Sequence, residues 1–232
     1  MERDAAGAPT ELVADDVLAS DVATYTAART SVLDFSSPAT PELVAGNGPR
    51  PTVSIGELVE AEALRVLESP PTLVATADGV PMLSVKDIRL GREPSVNGDG
   101  AIPGAVTAQP GDVVLVTGGW HAVVSVCEEA ALLGPGISVL RVKPNVIDAW
   151  FLAGVVRAAH DAAGQIDLFA VAFPRVAIGE QRAAGAAVAQ LLHAEASWRT
   201  SRLAVERMVV AGLAGLSSGT LRVTSEHGGP HG

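Results

Sequence analysis

The sequence predicts an α+β fold, in which one β-rich domain with flanking helices is followed by a long C-terminal helix. Three observations lead to it. Between residues 73 and 142 lie five short runs rich in Val, Leu and Ile: Leu73–Thr76, Met82–Ile88, Asp112–Thr117, Ala122–Cys127 and Ile137–Val142. Their length and composition are those of strands. From Gly179 to Leu213 apolar residues recur at three-four spacing, as on a helix with one buried seam. Apolar residues make up 48% of the chain but aromatics only 3%, so the core must come from closely packed small aliphatics rather than a few large anchors.

Residues 1–50 lack steady periodicity, are rich in Ala, Asp, Ser, Thr and Pro, and end in the linker-like Gly46-Asn47-Gly48-Pro49-Arg50-Pro51. They are expected to form an acidic, mostly extended arm with at most one short helix. A domain of ordinary size over 51–176 follows. It opens on Ser54-Ile55-Gly56-Glu57, a capping box, and the apolar face Ile55, Leu58, Val59, Ala63, Val66, Leu67 predicts a helix as far as Leu67, stopped by Pro70-Pro71. The five strands come next, parted by turn clusters such as Asn97-Gly98-Asp99-Gly100 and Gln109-Pro110-Gly111. Asn145 is expected to cap a helix over Ile147–His160 that buries Trp150, Phe151 and Val155, with Val156 as a further candidate.

A short apolar passage, Ile166–Phe173, leads to the long helix, assigned to 177–215. Its seam is Ala184, Val188, Leu191, Glu195, Trp198, Leu203, Val209 and Leu213. At 1.5 Å per residue the helix is about 50 Å long, so part of it is expected to pack on another chain. Residues 216–232 are expected to be a disordered tail.

The single cysteine, Cys127, cannot form an internal disulfide, which suits a reducing cytosol. No basic-then-apolar leader opens the sequence, and no apolar run approaches the roughly 18–20 residues of a membrane span. A cytoplasmic protein without membrane contact is expected. The net charge of −10 counts against nucleic-acid binding. Eight acids against three arginines in residues 1–50 account for half of it, so a DNA-binding face has to be a local basic patch or be completed by a partner.

Catalytic constellations are missing from the pattern. The five histidines, His121, His160, His193, His227 and His231, include no pair with metal-ligand spacing on a helix face. No Gly-Lys-Ser/Thr phosphate loop is present, and Gly118-Gly119 reads as a hairpin turn. Cys127 ends a Val-rich strand beside Glu128-Glu129, which fits a structural thiol better than a nucleophile. No enzyme activity, metal or cofactor is expected of the chain itself.

Three stretches together resemble the specificity subunits of type I restriction-modification systems, and the related C-terminal regions of actinobacterial N6-adenine DNA methylases. Met82-Leu83-Ser84-Val85-Lys86-Asp87-Ile88-Arg89 looks like the family's strand that ends in a turn near the DNA. Gln109-Pro110-Gly111-Asp112-Val113-Val114-Leu115-Val116-Thr117-Gly118-Gly119 is similar to its Gly-Asp strand. Phe173-Pro174-Arg175-Val176-Ala177-Ile178-Gly179-Glu180-Gln181-Arg182 resembles the entry to its long conserved helix. The resemblance covers roughly residues 10–215 and rests on the order and spacing of the stretches. Type I specificity subunits usually hold two recognition domains and two long helices, and this chain has one of each.

The resemblance implies a target-recognition domain that binds double-stranded DNA for an N6-adenine methyltransferase subunit. The methyltransferase would hold the S-adenosylmethionine and the flipped base. DNA contacts are expected from Lys86, Arg89 and Arg92 on one loop and from Thr117, Gly118, Trp120 and His121 on the next. The plainer readings are a solvated strand end for the cations, a rim aromatic for Trp120 and an ordinary exposed residue for His121. Asp87 either accepts from a cytosine amino group or caps a turn. Val188, Leu191, Trp198 and Leu203 are expected to seat the methyltransferase, or to pair two copies into a homodimer coiled coil. Such a pair would read a two-fold symmetric, interrupted site. An interaction module, or a specificity domain that no longer binds DNA, is the alternative that the acidity favours.

Overall fold

The computed structural model of the chain describes residues 8–46, 48–116, 122–164 and 166–224, with side-chain placement from residue 18 onward. The helices are α1 (Ala8–Leu33), α2 (Ile55–Glu60), α3 (Val85–Leu90), α4 (Ala149–Ala163) and α5 (Ile178–Ser218). The strands are β1 (Thr52–Ser54), β2 (Leu64–Glu68), β3 (Ala75–Thr76), β4 (Val80–Leu83), β5 (Val96–Gly98), β6 (Thr107–Ala108), β7 (Val113–Val116), β8 (Val123–Val126), β9 (Ala131–Leu133), β10 (Ser138–Val142) and β11 (Ala172–Pro174). The chain divides into two compact units. Pro38–Ala196 make one, and Met1–Ser37 with Ser197–Gly232 make the other.

In the first unit a four-stranded sheet, β2-β10-β7-β8, is antiparallel throughout and covered on both faces. The register explains why its strands read as nearly unbroken apolar runs. Leu64, Val66, Val113, Leu115, Val124 and Leu140 lie on one face and pack with α2 and α4 residues such as Ile55, Leu152 and Val156. Val114, Val116 and Val139 lie on the other, against Ile88 of α3 and Leu133 of β9. Beyond them the second sheet, β3-β5-β4-β9-β6, carries a smaller outer cluster of Leu73, Met82 and Leu132. Its β4–β9 pair is parallel. A third, two-stranded sheet joins β1 to β11.

α4 and the first half of α5 lie side by side and run in the same direction. Arg157 binds Glu195 at 2.9 Å, and a Cβ on Gly154 would meet Val188 Cγ2 at 2.7 Å. Gly185 leaves the space that the Asp148 carboxylate occupies while it caps α4 through the Phe151 N–H. Gln181, at the start of α5, accepts from the Asp148 N–H and donates to the carbonyls of Val146 and Val176.

Several expectations need correction. Residues 1–50 are not mainly an extended arm, since α1 takes 26 of them. The second unit supplies the reason: α1 finds a partner in the distal part of α5. Tyr25 approaches Gly212, Asp21 accepts from the Thr220 hydroxyl at 2.9 Å, and Phe35 meets Trp198 with ring centroids 4.7 Å apart. As numbers fall on one side they rise on the other, so the two helices are antiparallel.

The helix predicted to run to Leu67 stops at Glu60, and Leu64–Glu68 form β2 instead. Leu64 and Val66 suit either period, and pairing with β10 decides for the strand. Met82–Ile88 is half strand and half helix, because Ser84 and Asp87 make a capping box that starts α3. The cap of α4 is Asp148 rather than Asn145, and the residues α4 buries are Leu152, Ala153, Val156 and His160, with Trp150, Phe151 and Val155 half-buried. The long helix continues to Ser218, so residues 216–218 are helical rather than tail. Part of the predicted tail, residues 225–232, lies outside the described residues, as does Asn47 of the predicted linker.

Candidate nucleic-acid interface

Among the predicted DNA-reading residues the best defined are on α3. The Ser84 hydroxyl accepts from the Asp87 N–H at 3.1 Å, and Asp87 Oδ2 accepts from the Ser84 N–H at 3.1 Å and from its hydroxyl at 2.6 Å. Arg92 Nε donates to Asp87 Oδ1 at 2.6 Å, and the Ser95 N–H donates to Oδ2 at 3.3 Å. The Asp87 side chain is wholly buried. Burial alone pushes its carboxyl up, but the hydrogen bonds from Ser84, Ser95 and Arg92 outweigh this and hold it well below the usual carboxylate range. Asp87 therefore caps the turn and is out of reach of a base edge.

This network presents the cations differently. Lys86 is exposed, Arg89 is half-buried, and Arg92 is exposed but spends part of its guanidinium on Asp87 and on the Ser95 hydroxyl at 3.0 Å. α3 packs on β7 and β8 through Ile88, and these two strands flank residues 117–121. Thr117, Gly118, Trp120 and His121 lie outside the described residues.

The starts of β7 and β8 are both tied down. At the start of β7, Arg141 Nη2 donates to Asp112 Oδ2 at 2.7 Å and to the Thr107 carbonyl at 2.9 Å, and Asp112 also accepts from the Gln109 N–H at 2.8 Å. Asp112, the acid of the Gly-Asp stretch, thus clasps β10 and β6 to the strand. The hydrogen bond to Asp112 raises the Arg141 pKa further. Where the chain re-enters β8, buried His160 of α4 accepts the Ala122 N–H on Nδ1 at 3.1 Å. That bond requires an unprotonated Nδ1. Burial also pushes the Cys127 thiol up, and its S–H reaches the Glu129 carbonyl at 2.8 Å.

The contacts of His160, Arg141 and Gln181 could not be foreseen from the sequence pattern. Only Gly111-Asp112 before an apolar run hinted at such a clasp, and naming Arg141 as its partner needs the β7–β10 register. Of the predicted partner-facing residues, Leu191 and Trp198 are exposed, Leu203 is half-buried, and Val188 packs toward Gly154 of α4. Among the described residues no group of three or more His, Cys, Asp or Glu could hold a metal, and no helix is long and apolar enough to cross a membrane. An open cleft of about 760 Å³ is lined by residues including Leu58, Phe173, Arg175 and Gln181, and none of the predicted DNA contacts borders it.

No family model matches the chain, and no curated protein matches it. Several solved structures are similar to it, among them the following three. One is the HsdS subunit from Thermoanaerobacter tengcongensis, at 18% identity and a TM-score of 0.46 over 91% of this chain and 55% of that one. A second, from work on complex assembly and conformational transition of the type I R-M system, has 18% identity and a TM-score of 0.46 over 89% of this chain and 55% of that one. The third is the S subunit of a type I restriction-modification system from M. genitalium, at 13% identity and a TM-score of 0.40 over 93% of this chain and 60% of that one. The chain spans little more than half the length of the first two.

Proposed function

We propose that the chain is the sequence-specific DNA-recognition module of a type I-like restriction-modification N6-adenine methyltransferase. One observation carries the reading. The two stretches that resemble the DNA-side passages of specificity subunits converge, because α3 from the first packs on β7 and β8, which flank the end of the second. In this reading Lys86 and Arg89 hold phosphates or base edges, and Thr117, Gly118, Trp120 and His121, which follow β7 in the sequence, are the further proposed contacts. Arg92 braces α3 from below through Asp87.

Catalysis, S-adenosylmethionine and the flipped base belong to the methyltransferase partner, and the assembly works in the cytoplasm. The proximal half of α5 seats that partner, with exposed Leu191 as its accessible residue. A calorimetric signal for S-adenosylmethionine on this chain alone contradicts the assignment.

The deciding experiment is a map of N6-methyladenine in a host genome with and without the gene. Loss of one methylated motif on deletion, restored on complementation, is the expected result; an unchanged map removes the function. A mobility shift with duplex DNA of that motif then follows the contacts. Lys86→Ala is expected to weaken binding and to lower the slope of log affinity against log salt by about 1, as for one phosphate contact. A second reading, a protein-interaction module without DNA binding, is favoured by the 17 acids against 10 Lys and Arg in residues 38–196. It predicts no salt-dependent shift.

A further inference from the structure

We propose that Glu93 is a base reader of the recognition face, accepting from the N4 amino group of a cytosine in the major groove, a role that rests on the DNA-recognition reading. The sequence offers Asp87 for that task, but burial and its capping bonds remove it. The same network leaves another carboxylate on show.

Asp87 lashes down the loop that follows α3. Gly91 turns the chain in the left-handed conformation, φ 60°, with its N–H on the Ile88 carbonyl at 3.2 Å. The Arg92 N–H then bonds the Asp87 carbonyl at 3.1 Å, and Arg92 Nε donates to Asp87 Oδ1 at 2.6 Å. Three residues on, the Ser95 N–H donates to Asp87 Oδ2 at 3.3 Å, and the Ser95 hydroxyl accepts from Arg92 Nη2 at 3.0 Å. Arg92 and Ser95 are thus tied to Asp87 and to each other, and Glu93-Pro94 span the gap between the ties. The Pro94 ring fixes one φ of that span. Glu93 is exposed, and among the described residues it has neither a hydrogen bond nor an ion pair. The Arg92 guanidinium beside it in sequence is turned to Asp87 and Ser95 instead.

The loop lies beside the cations. Successive helical residues step by about 100°. Asp87 therefore stands between Ile88, buried against the sheet, and Lys86, exposed to water. A loop tied to Asp87 runs along the flank next to Lys86, with Arg89 about 60° further round. Chemistry then selects the ligand. A carboxylate accepts hydrogen bonds and donates none. Phosphates are negative and repel it. In the major groove guanine and thymine offer only acceptors for hydrogen bonds, and the adenine amino group sits beside the N7 acceptor. The cytosine amino group is the donor that suits a carboxylate. Holding the span at both ends lowers the entropy cost of placing Glu93 against it.

The test uses the intact chain and duplexes carrying the motif found by the methylation map, with each base pair replaced in turn. Glu93→Gln and Glu93→Ala are each expected to lose about tenfold of preference at one C·G pair, the size of a single base contact, and to keep it elsewhere. Their slope of log affinity against log salt is expected to match the parent chain, because no phosphate contact is lost. Unchanged thermal melts are expected as well, since Glu93 is exposed. A gain in affinity for all duplexes alike overturns the proposal, because Glu93 then only repels phosphates. Unchanged selectivity, a loss equal for all duplexes, or a motif without a C·G pair overturns it too. If Lys86→Ala lowers the salt slope while the Glu93 variants change no preference, the base reader falls and the recognition function stands. A parent chain that shifts no duplex even at low salt removes both.

Discussion

The unit over 38–196 and the helix pair solve the same problem to different degrees. The first buries side chains in three apolar clusters and covers both faces of its central sheet. The second, among its described residues, buries only two alanines as apolar side chains and leaves Leu213 62% exposed. The central strands of the first carry nearly unbroken apolar runs, whereas the apolar residues of the second are scattered along two long helices. What differs is whether the chain itself supplies the opposite face.

The sharpest way to break this contrast is a pair of leucine truncations. Leu140, wholly buried in β10, is expected to cost about 2–5 kcal/mol as Leu140→Ala. Leu213→Ala shortens a side chain that is already 62% exposed and is expected to cost about 0.5 kcal/mol or less. Urea melts of the two variants against the parent chain check both. Equal losses would show that the helix pair is as finished as the sheet.

The next effect concerns polar ties within the first unit. Asp112→Ala leaves Arg141 and the Gln109 N–H without their carboxylate, and is expected to cost about 2–4 kcal/mol. Asp87→Ala is expected to cost about 2 kcal/mol by removing the α3 cap and the Arg92 tie. Its pH dependence has a definite sign. The folded Asp87 pKa lies below its ordinary value of about 3.9, so the contribution is complete above that pH. It fades as the pH falls toward the folded value. The stability gap between the parent chain and Asp87→Ala is therefore expected to be flat from pH 5 to 7 and to narrow below about pH 4. A gap that widens in acid contradicts the capping role.

How much of this was legible in the sequence differs along the same line. β7, β8 and β10 were visible because both faces of their sheet are buried, which leaves unbroken Val and Leu runs. The long helix was visible from its seam. α1 was not, because its apolar face is thin and its partner lies about 190 residues away in the chain. β5, β6 and β11 escaped notice since strands of two or three residues carry no period. Lys86 and Arg89 could be singled out from their setting, whereas the Arg141–Asp112 clasp and the His160–Ala122 bond depend on a register that spacing does not give.

The two capping boxes make the finest comparison. Ser54–Glu57 and Ser84–Asp87 share one hydrogen-bond pattern, yet the first is exposed and the second is part-buried. Hydrogen bonds from Ser54 hold the Glu57 carboxyl below its ordinary range, but water stands ready to replace them. At Ser84 a lost hydroxyl leaves the buried Asp87 one donor short. Ser84→Ala is thus expected to cost about 1–2 kcal/mol and Ser54→Ala about 0.5–1 kcal/mol, both within the usual range for N-caps. Thermal melts of the two variants side by side measure the difference, and equal losses would mean that burial adds nothing to the α3 cap. The outcome also bears on Lys86, whose position depends on α3 keeping its first turn.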